Sequence, residues 1–132
     1  METGRFQIWL IKPTRYDDDG YPLQWWRSII PSNSLACLNG VVSDALARGV
    51  LGDVEADVHS IDEIHDHVDP ARIIRDIRHH GGRGFIGLVG VQTNQYPRAL
   101  DLAREFRQAG LPVSIGGFHV SGCISIDRKS VV

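Results

Sequence analysis

The residues best placed to do chemistry close a short β-branched run, Val113-Ser114-Ile115-Gly116-Gly117-Phe118-His119. Such a run reads as a buried parallel strand that delivers main chain to a ligand at its carboxyl end. Two glycines there let a bulky ligand approach the backbone without a Cβ in the way. His119 follows at the mouth, where a lining role and a capping role both fit. Three further segments carry polar groups at the ends of expected strands: Pro13-Thr14-Arg15-Tyr16, Ser60-Ile61-Asp62 and Gln92-Thr93-Asn94-Gln95-Tyr96. In an open α/β sheet these loops converge on one crevice. The expected contact residues are Pro13, Thr14, Arg15, Ser60, Gln92, Thr93, Asn94, Gly116, Gly117, Phe118 and His119.

Hydroxyls, amides and bare backbone suit a neutral, amide-rich or planar ligand. They suit a polyphosphate poorly, because no phosphate-cradling loop ending in Gly-Lys-Ser/Thr is present and no Gly-x-Gly-x-x-Gly follows the first strand. Gly87-Leu88-Val89-Gly90 falls within an expected strand and reads as close packing. Asp17-Asp18-Asp19 offers hard oxygens to a divalent cation, but a solvated turn before Gly20 explains it more simply. His59, His65, Asp66 and His67 form the densest group of potential metal ligands, without a helical His pair or a His-Glu-x-x-His pattern. Cys37 is expected on the buried side of a helix, as core and not as nucleophile. No Ser-His-Asp or Cys-His arrangement can be assembled. Trp25-Trp26 reads as a lid over a planar ligand, a contact to another domain, or a local cluster pinning its loop.

The elements that must position these residues alternate. Phe6–Ile11 reads as a strand closed by Lys12-Pro13. A helix follows over about 34–48, capped by Ser32 or Asn33, with Leu35, Leu38, Val42, Ala45 and Leu46 at helical spacing. Val54–His59 alternates like a strand near a sheet edge. Asp69-Pro70 caps a second helix with Ile73, Ile74 and Ile77 as its buried stripe. Phe85–Val91 is a continuous apolar strand. A third helix starts at Pro97, with Leu100, Leu102, Ala103 and Phe106 inward, and the Val113 strand follows. Such βα alternation implies right-handed crossovers and an α/β, Rossmann-like (flavodoxin-like) doubly wound parallel sheet, expected to be truncated after its fourth strand.

The 132 residues suffice for one domain with a hydrophobic core. A net charge of -2 gives no electrostatic case for nucleic acid or an anionic membrane. No apolar run approaches the roughly 20 residues of a membrane span, and the N-terminus lacks the plan of a signal peptide. Two cysteines cannot build a disulfide framework. A cytoplasmic location is the expectation. Asp127–Val132 resembles the in-frame translation of a sequencing adapter, so residues 1–126 are taken as the domain and the natural product is expected to continue beyond Ile126.

Four segments together resemble the N-terminal corrinoid-binding domain of the cobalamin-dependent radical S-adenosylmethionine proteins. They are Leu10–Pro22, Val68–Ile74, Gly87–Gln95 and Ile115–His119, and the likeness spans about residues 5–123. An apolar-Gly-Gly-x-His element closing the fourth strand is common in that family. The resemblance implies cobalamin held over the carboxyl ends of the strands, its nucleotide tail near the third and fourth loops. It also implies a radical domain in cis, absent from this chain, that holds the iron–sulfur cluster and S-adenosylmethionine through a three-cysteine motif not found here. Related methionine synthases ligate cobalt through a histidine in an Asp-x-His-x-x-Gly motif after the first strand. That loop has no histidine here, and Asp57-Val58-His59 lacks the glycine, so cobalamin is expected without a protein histidine on cobalt. A free-standing flavodoxin-like small-molecule domain and a pure interaction domain remain the other readings.

Overall fold

The computed structural model describes residues 4–24 and 33–117. Trp25, Trp26, Ser32, Phe118, His119, Cys123 and the 127–132 tail lie outside the described residues.

Four strands form one all-parallel sheet: β1 (Phe6–Lys12), β2 (Ala56–Asp62), β3 (Gly84–Leu88) and β4 (Val113–Ile115), in the order β2-β1-β3-β4. The helices α1 (Asn33–Ala47), α2 (Pro70–His79) and α3 (Tyr96–Gln108) make the crossovers. This is the alternating α/β, Rossmann-like architecture expected from the sequence. β2 is indeed an edge strand. Register runs Phe6 with Ala56 through Lys12 with Asp62, and Gln7 with Gly84 through Ile11 with Leu88. β1 therefore sits between β2 and β3, and the chain leaves the carboxyl ends of β1 and β3 toward opposite faces, to α1 and to α3. That divergence is the topological switch point, where open α/β sheets bind ligands.

The period of two along each strand separates two cores. Ile11, Ile86 and Leu88 face α2 and α3, where Ile73, Ile77, Leu102 and Phe106 close the larger cluster. Ile8 and Leu10 face α1 and meet Leu35. Asp69 caps α2 as expected, its carboxylate accepting from Ala71 N at 3.2 Å, with Pro70 opening the helix. No helix among the described residues is long and apolar enough to cross a membrane.

Two expectations are corrected. β3 ends at Leu88, because Gly90 turns the chain at φ +61°. A β-carbon at Gly90 is disfavoured by that torsion, so Gly90 belongs to the strand's exit and not to its interior. On α1, Leu35 is the buried residue, Leu38 is 39% exposed, and Cys37 is exposed and not core. α1 rests on β1 and β2, and none of the described helices spreads over β3 and β4 on that face.

Candidate functional site

Among the described residues, the stretch of sheet beside α1 forms a groove of about 700 Å³ that runs up to the carboxyl ends of β3 and β4. Its floor is Leu10, Phe85 and Gly87, and its wall is Cys37, Leu38 and Val42 from α1. Gly90, Gly116 and Gly117 bound it at the strand ends. Among the described residues no carboxylate, ammonium or guanidinium lines it, which favours an apolar group.

The two glycines after β4 differ in what they do. A Cβ on Gly116 would meet none of the described residues within 4 Å. A Cβ on Gly117 would lie 2.3 Å from Val91 N and 2.5 Å from Val91 O, at a φ of +141°. Gly117 is thus required by close packing of the chain after β3 against the chain after β4. Val91 N donates to Gly116 O at 2.9 Å and ties the same two segments together.

The loop after β1 is a small hairpin. Arg15 and Leu23, and Asp17 and Tyr21, pair through the backbone, and Tyr16 bridges Pro22. Asp17 spends its carboxylate on Asp19 N and Tyr21 N, both at 2.9 Å, so the acidic triplet is a turn. The hairpin is anchored at a buried ion pair. Glu63 is 1% exposed; it accepts from Arg98 at 2.6 Å and from Thr14 N at 3.1 Å. Tyr16 stacks near Arg98, and its hydroxyl donates to Asp101. Burial works against charge on Arg98, but the Glu63 and Tyr16 contacts outweigh it and hold its pKa above the ordinary value.

The structure does not bring all the chemistry-bearing residues expected from the sequence together. Gly116 and Gly117 line the groove. Gln92, Thr93 and Asn94 are exposed at a 3₁₀ turn (Thr93–Gln95) just beyond it, and Arg15 is exposed on the hairpin. Pro13 and Thr14 are buried, and Thr14 turns its hydroxyl to Leu23 O at 2.7 Å. Ser60 lies on the α1 face of β2, donating to Asn39 at 2.9 Å. Phe118 and His119 lie outside the described residues. His59 is within β2, stacked on Trp9 and bonded to Gln7 at 2.7 Å, away from the strand ends. Among the described residues no three His, Cys, Asp or Glu side chains come together to hold a metal ion.

No family model, curated protein or solved structure matches this chain. The site therefore stands on its own geometry.

Sequence reasoning missed the Glu63–Arg98 pair, whose partners are 35 residues apart, and it missed Lys12. Lys12 ends β1 at the switch point and donates through Nζ to Gly90 O and to Gln95 Oε1, the latter at 2.6 Å. Gln95 in turn accepts from Gln92 N at 3.1 Å. Burial pushes the Lys12 ammonium below its usual pKa, with Asp62 pulling the other way. An apolar strand followed by Lys-Pro gives no sign of this, because the two acceptors lie 78 and 83 positions further along the chain.

Proposed function

We propose that this chain is a corrinoid-binding module that holds cobalamin across the carboxyl ends of its strands. The observation that carries the reading is the apolar groove beside α1, which reaches Gly116 at the strand ends. A flat heteroaromatic base, such as the one on cobalamin's nucleotide tail, suits a neutral slot of this size. The amide side chains of Gln92 and Asn94 beyond the slot suit the amide-rich rim of the macrocycle. The sequence likeness to corrinoid domains of radical enzymes supports the same assignment.

In this reading the chain's residues bind and orient. Gly116 leaves room for the tail, and Gly117 fixes the two strand exits against one another. Leu10, Leu38, Val42 and Phe85 exclude water from the slot. The corrinoid supplies the group-transfer chemistry when bound, and catalysis belongs to a radical domain of the same protein, outside this chain. No histidine stands in the loop after β1, so that loop would give cobalt no protein ligand.

The test is a titration of the purified protein with aquocobalamin, followed by gel filtration, with riboflavin 5′-phosphate in parallel. Co-elution of one cobalamin per chain, with a shifted visible spectrum, is the expected result. Uptake of the flavin alone would replace the corrinoid by a flavodoxin-like reading. Uptake of neither by a folded protein would reject both.

A further inference from the structure

The switch point holds a cation that forms no ion pair among the described residues. Both acceptors of the Lys12 ammonium, Gly90 O and Gln95 Oε1, are uncharged. Asp62, its register partner on β2, favours the charge only from further off. An ammonium has three protons, and described residues engage two of them. A partly desolvated charge with spare donor capacity costs free energy until an anion meets it.

The stem of the same side chain passes beside Gly90 and Ser34, at the strand-end margin of the groove. A Cβ on Gly90 would lie 3.3 Å from Lys12 Cδ, 3.4 Å from Lys12 Cε and 3.3 Å from Ser34 Cβ. Gly90 and Ser34 both line the groove, and Ser34 is exposed. At its strand-end margin the slot thus has the stem of Lys12 and the side chain of Ser34 on the same glycine.

We propose that Lys12, with Ser34 beside it, anchors a single phosphate group of the ligand whose planar part fills the groove. One ammonium and one hydroxyl match one phosphate, monoester or diester, and not a polyphosphate. Charge-assisted hydrogen bonds are roughly twice as strong as neutral ones, so this contact contributes orientation as well as affinity. The inference rests on the corrinoid reading in so far as cobalamin carries its base on a phosphodiester. A flavin mononucleotide presents the same chemistry as a monoester.

The experiment compares ligands with and without the phosphate. Wild type, Lys12→Met and Lys12→Arg are titrated with cobalamin and with cobinamide, which keeps the macrocycle but lacks the nucleotide. Riboflavin 5′-phosphate and riboflavin form the second pair. Melting temperature is followed with inorganic phosphate against chloride at equal ionic strength. Lys12→Met is expected to weaken cobalamin at least tenfold and cobinamide not at all, with Lys12→Arg recovering part of the loss. The same pattern on the flavin pair alone would end the corrinoid reading and keep the phosphate anchor. Ser34→Glu, on an exposed first turn where a carboxylate is tolerated, places an anion beside the ammonium. It is expected to abolish the phosphate-dependent rise in melting temperature, which keeps the test decisive should Lys12→Met not fold. Equal affinity of wild type and Lys12→Met for cobalamin overturns the inference while leaving corrinoid binding intact. A phosphate effect that survives in Ser34→Glu, or no phosphate effect and no phosphate-bearing ligand bound, overturns it as well.

Discussion

Gly117 is packed so closely on the Val91 backbone that even a methyl group would overlap it, 2.3 Å from the amide nitrogen. A Cβ on its neighbour Gly116 would meet no described residue within 4 Å. Adjacent glycines of one motif therefore answer to different constraints, one to the fold and one to whatever enters the groove. Gly117→Ala is expected to destabilise the protein by about 1–3 kcal/mol or more, the cost of overpacking, with backbone strain at φ +141° added to it. Gly116→Ala is expected to stay within about 0.5 kcal/mol of wild type. Urea unfolding of the two variants checks the contrast, and equal losses would remove the distinction.

The Glu63–Arg98 pair should behave as a buried unit. Glu63 is 1% exposed and is shared between Arg98 and the Thr14 amide. Arg98→Met leaves that carboxylate buried without its cation, which costs about 3–5 kcal/mol in comparable sites. The hairpin over residues 14–24 should loosen first. Hydrogen exchange at Thr14 N is the direct readout, and unchanged protection there would show that the hairpin does not depend on the pair.

Tyr16 gives an alkaline signature. Burial raises its pKa above the ordinary 10.0, and the hydrogen bond to Asp101 adds to the shift. The folded protein holds the phenolic proton more tightly than the unfolded chain does. Stability linked to it is complete below the unfolded value and is lost as pH rises through the folded one. Phenolate absorbance of wild type minus Tyr16→Phe should show this group titrating above 10.0. The variant should also lose the associated fall in stability.

Cys37 reports on the groove. It is exposed and sits on the α1 wall. In a Cys123→Ser background its thiol should react readily with a maleimide, and bound cobalamin should slow that reaction at least tenfold. An unchanged rate in the bound protein would place the ligand elsewhere.

The order and type of the elements were legible in the sequence because alternation and caps are local signals: Asp69-Pro70 opens α2 where expected. The end of β3 was not, since Val89 and Val91 continue the apolar run on either side of Gly90, and only the backbone torsion marks the exit. The α1 stripe misled for a different reason. Helical spacing says which residues share a face, but not how much of that face a sheet covers, and α1 leaves Leu38 and Cys37 at the edge of the groove. The double glycine pointed to the groove's rim. The ammonium of Lys12 beneath Gly90 required knowledge of which strand lies next to β1, a nonlocal fact.

Corrinoid binding in the groove is tested most directly by titrating wild type and Gly116→Leu side by side with aquocobalamin and recording the visible spectrum. Gly116→Leu leaves the Gly117–Val91 contact untouched and puts a branched side chain into the space that the tail would use. One-to-one uptake by wild type, with at least a tenfold loss in the folded variant, is the expected result. Absence of uptake by folded wild type, or equal uptake by both proteins, would contradict it.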